Sequence, residues 1–220
     1  IVHTQTANRF VLTKKDFATP LGLCHTDKGI VESLQARCRT DLFLDEFAHR
    51  NEHSIEFQVL FLQYLYAGIR DFAIVPVLCS SFGALLSENQ QPDSDDQIQD
   101  FISALRLEIE ERGSELCCIA GVDLSHVGQR FGQQVNMTAD VLQELERHDR
   151  EMFASILELD AGAFFRFIQA EQDQKNVCGV SAIYTLLKTT AATSAQLLDY
   201  QQAVEQDHSV VTFAGAAFYE

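Results

Sequence analysis

Basic residues are scarce: 16 Lys and Arg stand against 32 Asp and Glu, a formal charge of -16. A field of that sign repels phosphate backbones and anionic lipid, so neither nucleic acid nor a membrane surface is expected as a partner. No apolar run approaches the roughly 20 residues of a membrane span, and no basic-then-apolar leader opens the chain. The six cysteines, at 24, 38, 79, 117, 118 and 178, form no CxxC pair. Adjacent Cys117 and Cys118 on a strand would face opposite sides, which suits reduced thiols in a cytoplasmic protein better than a disulfide framework. A Walker loop, a GxSxG elbow and a zinc-protease helix are also missing. The composition, 46% hydrophobic and 22% charged over 220 residues, is that of a globular chain with ample core. One domain spanning 1–220 is expected, since no linker is long enough to divide it.

Along the chain, helical spacing runs from Asp27 to Cys38, and His53 to Tyr66 is apolar nearly all round, which predicts a buried helix. Asp71 to Cys79 reads as a strand that Pro76 places at an edge or interrupts. An acidic, amide-rich loop at 87–96 feeds a helix over 95–112, and Leu116–Gly121 reads as a buried strand. Thr138 and Asp160 are caps of helices over 138–157 and 161–172, and Cys178-Gly179 opens another to Lys188. Ala195–Gln202 and Ser209–Tyr219 form a closing hairpin, so the sheet is mixed. Strands alternating with helices predict an α/β layered fold.

Four places carry chemistry. Val122-Asp123-Leu124-Ser125-His126-Val127-Gly128 leaves the end of the expected strand at 116–121, where a rigid scaffold can aim ionisable groups at a ligand. His126 suits a general acid or base, with Asp123 orienting it, binding substrate or contacting a metal; the alternative is a Ser/Asp helix cap followed by a surface histidine. In Glu52-His53-Ser54-Ile55-Glu56, helical spacing lets Glu52, His53 and Glu56 share one edge. Two readings fit: polar groups at a buried helix end that require a metal or substrate, or an acidic cap with His53 as a satisfied core residue. Cys178 at a helix start is either a thiolate favoured by the dipole or a buried thiol beside a tightly packed glycine. His3, at what looks like the tail of a strand beginning outside the sequence, is weak alone. His49 and His53 have i, i+4 spacing, but His49 lies in an expected loop.

Taken together, Glu52-His53-Ser54-Ile55-Glu56, Val122 to Phe131, Cys178-Gly179 and the closing Phe213-Ala214-Gly215-Ala216-Ala217-Phe218 resemble the Memo family, known in bacteria and archaea as AmmeMemoRadiSam system protein B. Ile1-Val2-His3-Thr4 is similar to that family's first strand-end histidine, so the resemblance covers essentially the whole chain. It implies a three-layer α/β/α sandwich with a mixed, mostly parallel central sheet, similar to the class III extradiol (LigB-type) dioxygenases. It also implies a metal pocket of two histidines and a cysteine. His3 and Cys178 match two of these ligands; the third belongs to an upstream Pro-His-Ala-Gly-Tyr segment that this sequence does not contain, as in an N-terminally truncated member. Leu60 stands where the family commonly has proline.

The resemblance makes His126 a proton-transfer residue assisted by Asp123, with Glu52, His53 and Glu56 lining the pocket. Ring-cleaving iron enzymes use two imidazoles and a carboxylate; a thiolate in place of the carboxylate makes a softer site suited to zinc, copper or a differently tuned iron. Dioxygenase activity is therefore not carried over. The family name implies AMMECR1-type and radical SAM partners and a metal-dependent redox or modification role. The rival is a non-enzymatic module whose pocket holds a peptide, a small molecule or a protein.

Overall fold

The computed structural model describes residues 1–220. Its strands are β1 (Phe10–Leu12), β2 (Phe17–Thr19), β3 (Gly22–Thr26), β4 (Ala73–Ile74), β5 (Val77–Cys79), β6 (His126–Val127), β7 (Ser194–Val204) and β8 (Val210–Tyr219). Its helices are α1 (Lys28–Arg37), α2 (Ser54–Tyr66), α3 (Gly83–Ser87), α4 (Asp96–Arg112), α5 (Ala139–Leu157), α6 (Ala161–Ala170) and α7 (Val180–Thr189). The mixture of helices and strands is consistent with the expected α/β class. The chain divides into two compact units: Ile1–Ser81 with Pro92–Gly121, and Phe82–Gln91 with Val122–Glu220.

Helix starts obey local chemistry. Asp27, Asp95, Thr138 and Asp160 each sit in extended backbone and accept from a first-turn amide, so four expected helices begin where a side chain satisfies an orphan N–H. In the first unit β1 pairs antiparallel with β5, with Val11 opposite Leu78, and its three residues are fully buried. Phe10 stacks on Phe101 of α4 with ring centroids 4.0 Å apart. In the second unit Phe82, Phe164, Phe165, Met152 and Tyr184 form a buried aromatic-rich core beneath α5, α6 and α7. The closing hairpin is present as β7–β8, antiparallel throughout and irregular between Leu197 and Asp199.

Four expectations are corrected. The strands do not form one mostly parallel sheet: they make three small sheets, β1–β5, β2–β3–β4 and β6–β8–β7, and only β3–β4 is parallel. Leu116–Gly121 forms no strand, and Cys117, Cys118 and Ile119 are exposed. An apolar run supplies side chains for burial, but its amides and carbonyls need a ladder partner, and this run has none. Ile1-Val2-His3 is likewise not a strand; Val2 is buried and its N–H reaches Cys79 O at 3.0 Å. Helix α2 forms where expected, but only Val59 is buried; Phe57, Phe61, Tyr64 and Leu65 are all exposed. Apolarity on every face leaves the sequence silent about which face will find a partner.

A buried polar network crosses the second unit. Asp149 of α5 is completely buried; it accepts from Ser125 Oγ at 2.6 Å and from the Tyr200 hydroxyl at 2.8 Å, and lies 3.3 Å from His148 Nδ1. His148 Nε2 meets the Glu171 carboxylate, so the imidazolium, which donates from both nitrogens, is the form this setting favours. Burial works against charge on each residue. It pushes Asp149 up, but the hydrogen bonds outweigh it and hold the carboxyl below its ordinary value. It pushes His148 down, but Asp149 and Glu171 hold the ring above its ordinary value.

These directions set a pH window. A histidine raised on folding contributes stability that is complete below its unfolded value and is lost as pH rises through the folded one. A depressed carboxyl contributes above its unfolded value and loses that as pH falls through the folded one. The thermal midpoint should therefore fall as pH rises above about 6.5. His126, also raised, adds to the fall. The His148 share should vanish in His148→Gln; an unchanged slope in that variant would disprove the assignment.

Candidate functional site

In the second unit, Leu124 N–H donates to Thr212 O at 2.8 Å, and Thr212 N–H donates to Ser125 O at 2.9 Å. The motif thus runs along the edge of β8 and becomes β6, instead of leaving a strand at 116–121. Ser125 is fully buried, and its amide also reaches Thr212 Oγ1 at 2.9 Å. His126 is held from both sides: its amide donates to Lys175 O at 2.7 Å, and its Nδ1 lies 3.1 Å from both Leu124 O and Asn176 O. Both partners are carbonyl oxygens, which only accept, so Nδ1 carries a proton, and it is in the neutral ring that Nε2 keeps a lone pair. Phe131 packs edge-on against the ring, with centroids 5.0 Å apart.

Nε2 faces Asp123, whose Oδ2 is 3.7 Å away, and a carboxylate there favours a proton on Nε2 as well. Burial disfavours the imidazolium, but Asp123 and the two carbonyls outweigh it and raise His126 above its ordinary value. Cys178 Sγ donates to Asp123 O at 3.5 Å. One donor atom from each of Asp123, His126 and Cys178 lies within 4.8 Å of the other two. Tetrahedral coordination with bonds of 2.0–2.3 Å brings ligand atoms about 3.3–3.8 Å apart, so contraction by roughly an ångström would close the group on an ion. Carboxylate, imidazole and thiol are the donor types a transition metal accepts, so the residues present fit such an ion.

Cys178 departs from the dipole argument. Burial pushes its thiol up to about 11, and the Asp123 charge adds to this. It immediately precedes Gly179, the N-cap of α7, yet desolvation outweighs the positive helix end. In the metal-free protein it is a thiol, and a metal must displace its proton. Gly179 is glycine for packing: an added Cβ would stand 2.7 Å from Val122 Cγ2 and 2.8 Å from Asp123 O, pressing directly on the motif.

In the first unit, Glu52 is a buried carboxylate satisfied by one residue. His3 donates to it from its amide and from Nδ1, each at 2.6 Å. His3 itself is exposed, with Nε2 free, and its ring lies nearly parallel to that of His53 with centroids 5.6 Å apart. Donor atoms of His3, Glu52 and His53 also lie within 4.8 Å of one another. A carboxylate on one imidazole nitrogen orients the ring and makes the other nitrogen a better ligand. Glu56 lies exposed in the first turn of α2 and is not in this group. His49 lies in a 3-10 turn with Nε2 3.0 Å from Val11 O, so it is tied to β1. His3 belongs to the first unit and Cys178 to the second.

Sequence reasoning missed Asp149, His148 and Tyr200. Their signal was present: Asp149 lies on the stripe of Leu145, Met152, Phe153 and Ile156, where helical periodicity demands an apolar residue. An acid on that stripe needs buried partners.

The chain is similar to proteins of known family. The family model of Memo-like proteins matches residues 1–217. A MEMO1 family protein of Aquifex aeolicus is 29% identical over 96% of this chain and 52% of its own length. Relatives from Methanosarcina barkeri and Archaeoglobus fulgidus, both MEMO1 family proteins, are 27% and 29% identical over 98% of this chain and 71% and 72% of their own lengths. The chain therefore spans about half the Aquifex relative and about seven tenths of the other two. With a family-model match over residues 1–217, the chain belongs to the Memo family.

Proposed function

We propose that this chain binds a transition metal ion, iron, copper or zinc, at Asp123, His126 and Cys178, and serves a metal-dependent redox or modification reaction. The observation that carries this is the convergence of carboxylate, imidazole and thiol within 4.8 Å. Cys178 anchors the ion as thiolate, and Asp123 and His126 stand close enough to complete the donor set. The ion would supply Lewis acidity or redox chemistry when bound. With the ion held by Cys178 and Asp123 alone, His126 Nε2 would instead be placed to accept a proton from a ligand there. His3, oriented by Glu52, is a donor of a separate group in the first unit. The LigB-like three-layer architecture, a cytoplasmic location, and AMMECR1-type and radical SAM partners belong to the same proposal.

Equilibrium dialysis against Co²⁺ or Zn²⁺, with metal counted per chain, tests it. The wild type should retain close to one ion through this group and Cys178→Ala should lose it. Retention unaffected by that substitution overturns the assignment.

A second reading has its own observation. The second unit has a pocket of about 700 Å³ lined in part by Val127, Phe131, Val135, Leu145, Asp140 and Asp173. Apolar side chains beside many polar and charged ones suit a peptide or polar small molecule, which supports a non-enzymatic binding module. That reading predicts partner binding insensitive to chelators and to His126→Ala.

A further inference from the structure

The buried Asp149 network ends on the residue beside His126. Ser125 is pinned on three sides: its amide and carbonyl by Thr212 of β8, its hydroxyl by Asp149 of α5. Asp149 is in turn held by the Tyr200 hydroxyl from β7, and Gln202 Nε2 donates to that hydroxyl at 3.0 Å and to Leu142 O at 2.9 Å. A fully buried carboxylate is costly to desolvate unless its oxygens are satisfied. Both oxygens of Asp149 are satisfied, and one of those bonds goes to the motif. Thr212 fixes where the motif backbone lies against the sheet; the Ser125 hydroxyl bond sets it against the helix layer as well.

We propose that Asp149 is a positioning residue for His126, acting through Ser125 to fix the 124–126 backbone so that Leu124 O and Asn176 O hold the ring proton on Nδ1. In the neutral ring Nε2 is thereby the nitrogen left without a proton. This deepens the metal-binding reading and rests on it for its functional consequence, but the geometric claim is separable. Asp149 is out of reach of the ion and of any ligand, buried behind Ser125, so its effect is on which nitrogen of His126 is available.

Two measurements on the full chain test it. In metal-free protein with ¹⁵N-labelled histidine at about pH 9, where histidine is neutral, long-range ¹H–¹⁵N correlation should show wild-type His126 as the Nδ1–H tautomer. Ser125→Ala, which removes the direct bond to Asp149, should mix in the Nε2–H tautomer. Asp149→Asn, whose amide oxygen still accepts from Ser125, should do so less, and Gln202→Ala, which loosens only the Tyr200 end, should not. In the second measurement Co²⁺ affinity should fall about tenfold or more in Ser125→Ala. An unchanged tautomer in Ser125→Ala, or an equal change in Gln202→Ala, overturns the proposal and leaves Asp149 a structural residue. If the tautomer responds as expected but the wild type binds no Co²⁺, the metal reading fails and the positioning role stands.

Discussion

Asp149→Ala is expected to destabilise the protein by about 3–5 kcal/mol, the cost of removing one partner from a buried charged network. Asp149 is completely buried, and its loss leaves the Ser125 and Tyr200 hydroxyls without acceptors and His148 with only Glu171. Each orphaned hydroxyl adds a desolvation penalty of about 1–3 kcal/mol unless water enters. Burial and the Asp149 carboxylate push the Tyr200 phenol up, so it remains a donor at any physiological pH. Urea unfolding followed by circular dichroism reads the loss. A change below about 1 kcal/mol would mean the network is solvated, and the account of it would be wrong.

The second large effect concerns Gly128, immediately after the His126–Val127 strand. Its backbone, at φ 123° and ψ -172°, lies in a region that is essentially glycine-only. An added Cβ would also stand 2.7 Å from the Ser209 Cα. Backbone strain of about 1–3 kcal/mol and a similar overpacking cost act together in Gly128→Ala, for an expected loss of about 2–5 kcal/mol. Neither partner can yield cheaply: Ser209 is fully buried, and its hydroxyl accepts from Arg130 N–H at 3.0 Å. Thermal or urea unfolding of Gly128→Ala at wild-type stability would contradict the conformation described for this turn.

How much of this was legible in the sequence depends on the kind of information each feature needs. Helix starts need only a capping oxygen next to an amphipathic run: Thr138 and Asp160 cap as expected, and Asp27 and Asp95 cap helices expected to begin there. The closing hairpin needs only two neighbouring strands, and β7–β8 formed. Features that depend on a distant partner were less legible. Leu116–Gly121 looks like a core strand, yet it pairs with nothing; Phe57, Phe61, Tyr64 and Leu65 look buried, yet α2 leaves them exposed. The candidate site divides the same way. Asp123 and His126 were readable because they lie only three positions apart. Their approach to Cys178, 52 residues beyond His126, came only from a family resemblance, and the structure brings the three together. The dipole argument for Cys178 failed because burial, a tertiary property, outweighs a local field. Asp149 was overlooked although an acid on the apolar stripe of α5 is a local signal.

The central claim is that Asp123, His126 and Cys178 form one donor group. X-ray absorption at the metal edge of the Zn²⁺-loaded protein tests it most directly. The account predicts one sulfur scatterer at about 2.3 Å with nitrogen or oxygen scatterers at about 2.0–2.1 Å, and loss of the sulfur shell in Cys178→Ala. A first shell without sulfur in the wild type, or a sulfur shell that survives Cys178→Ala, would contradict it.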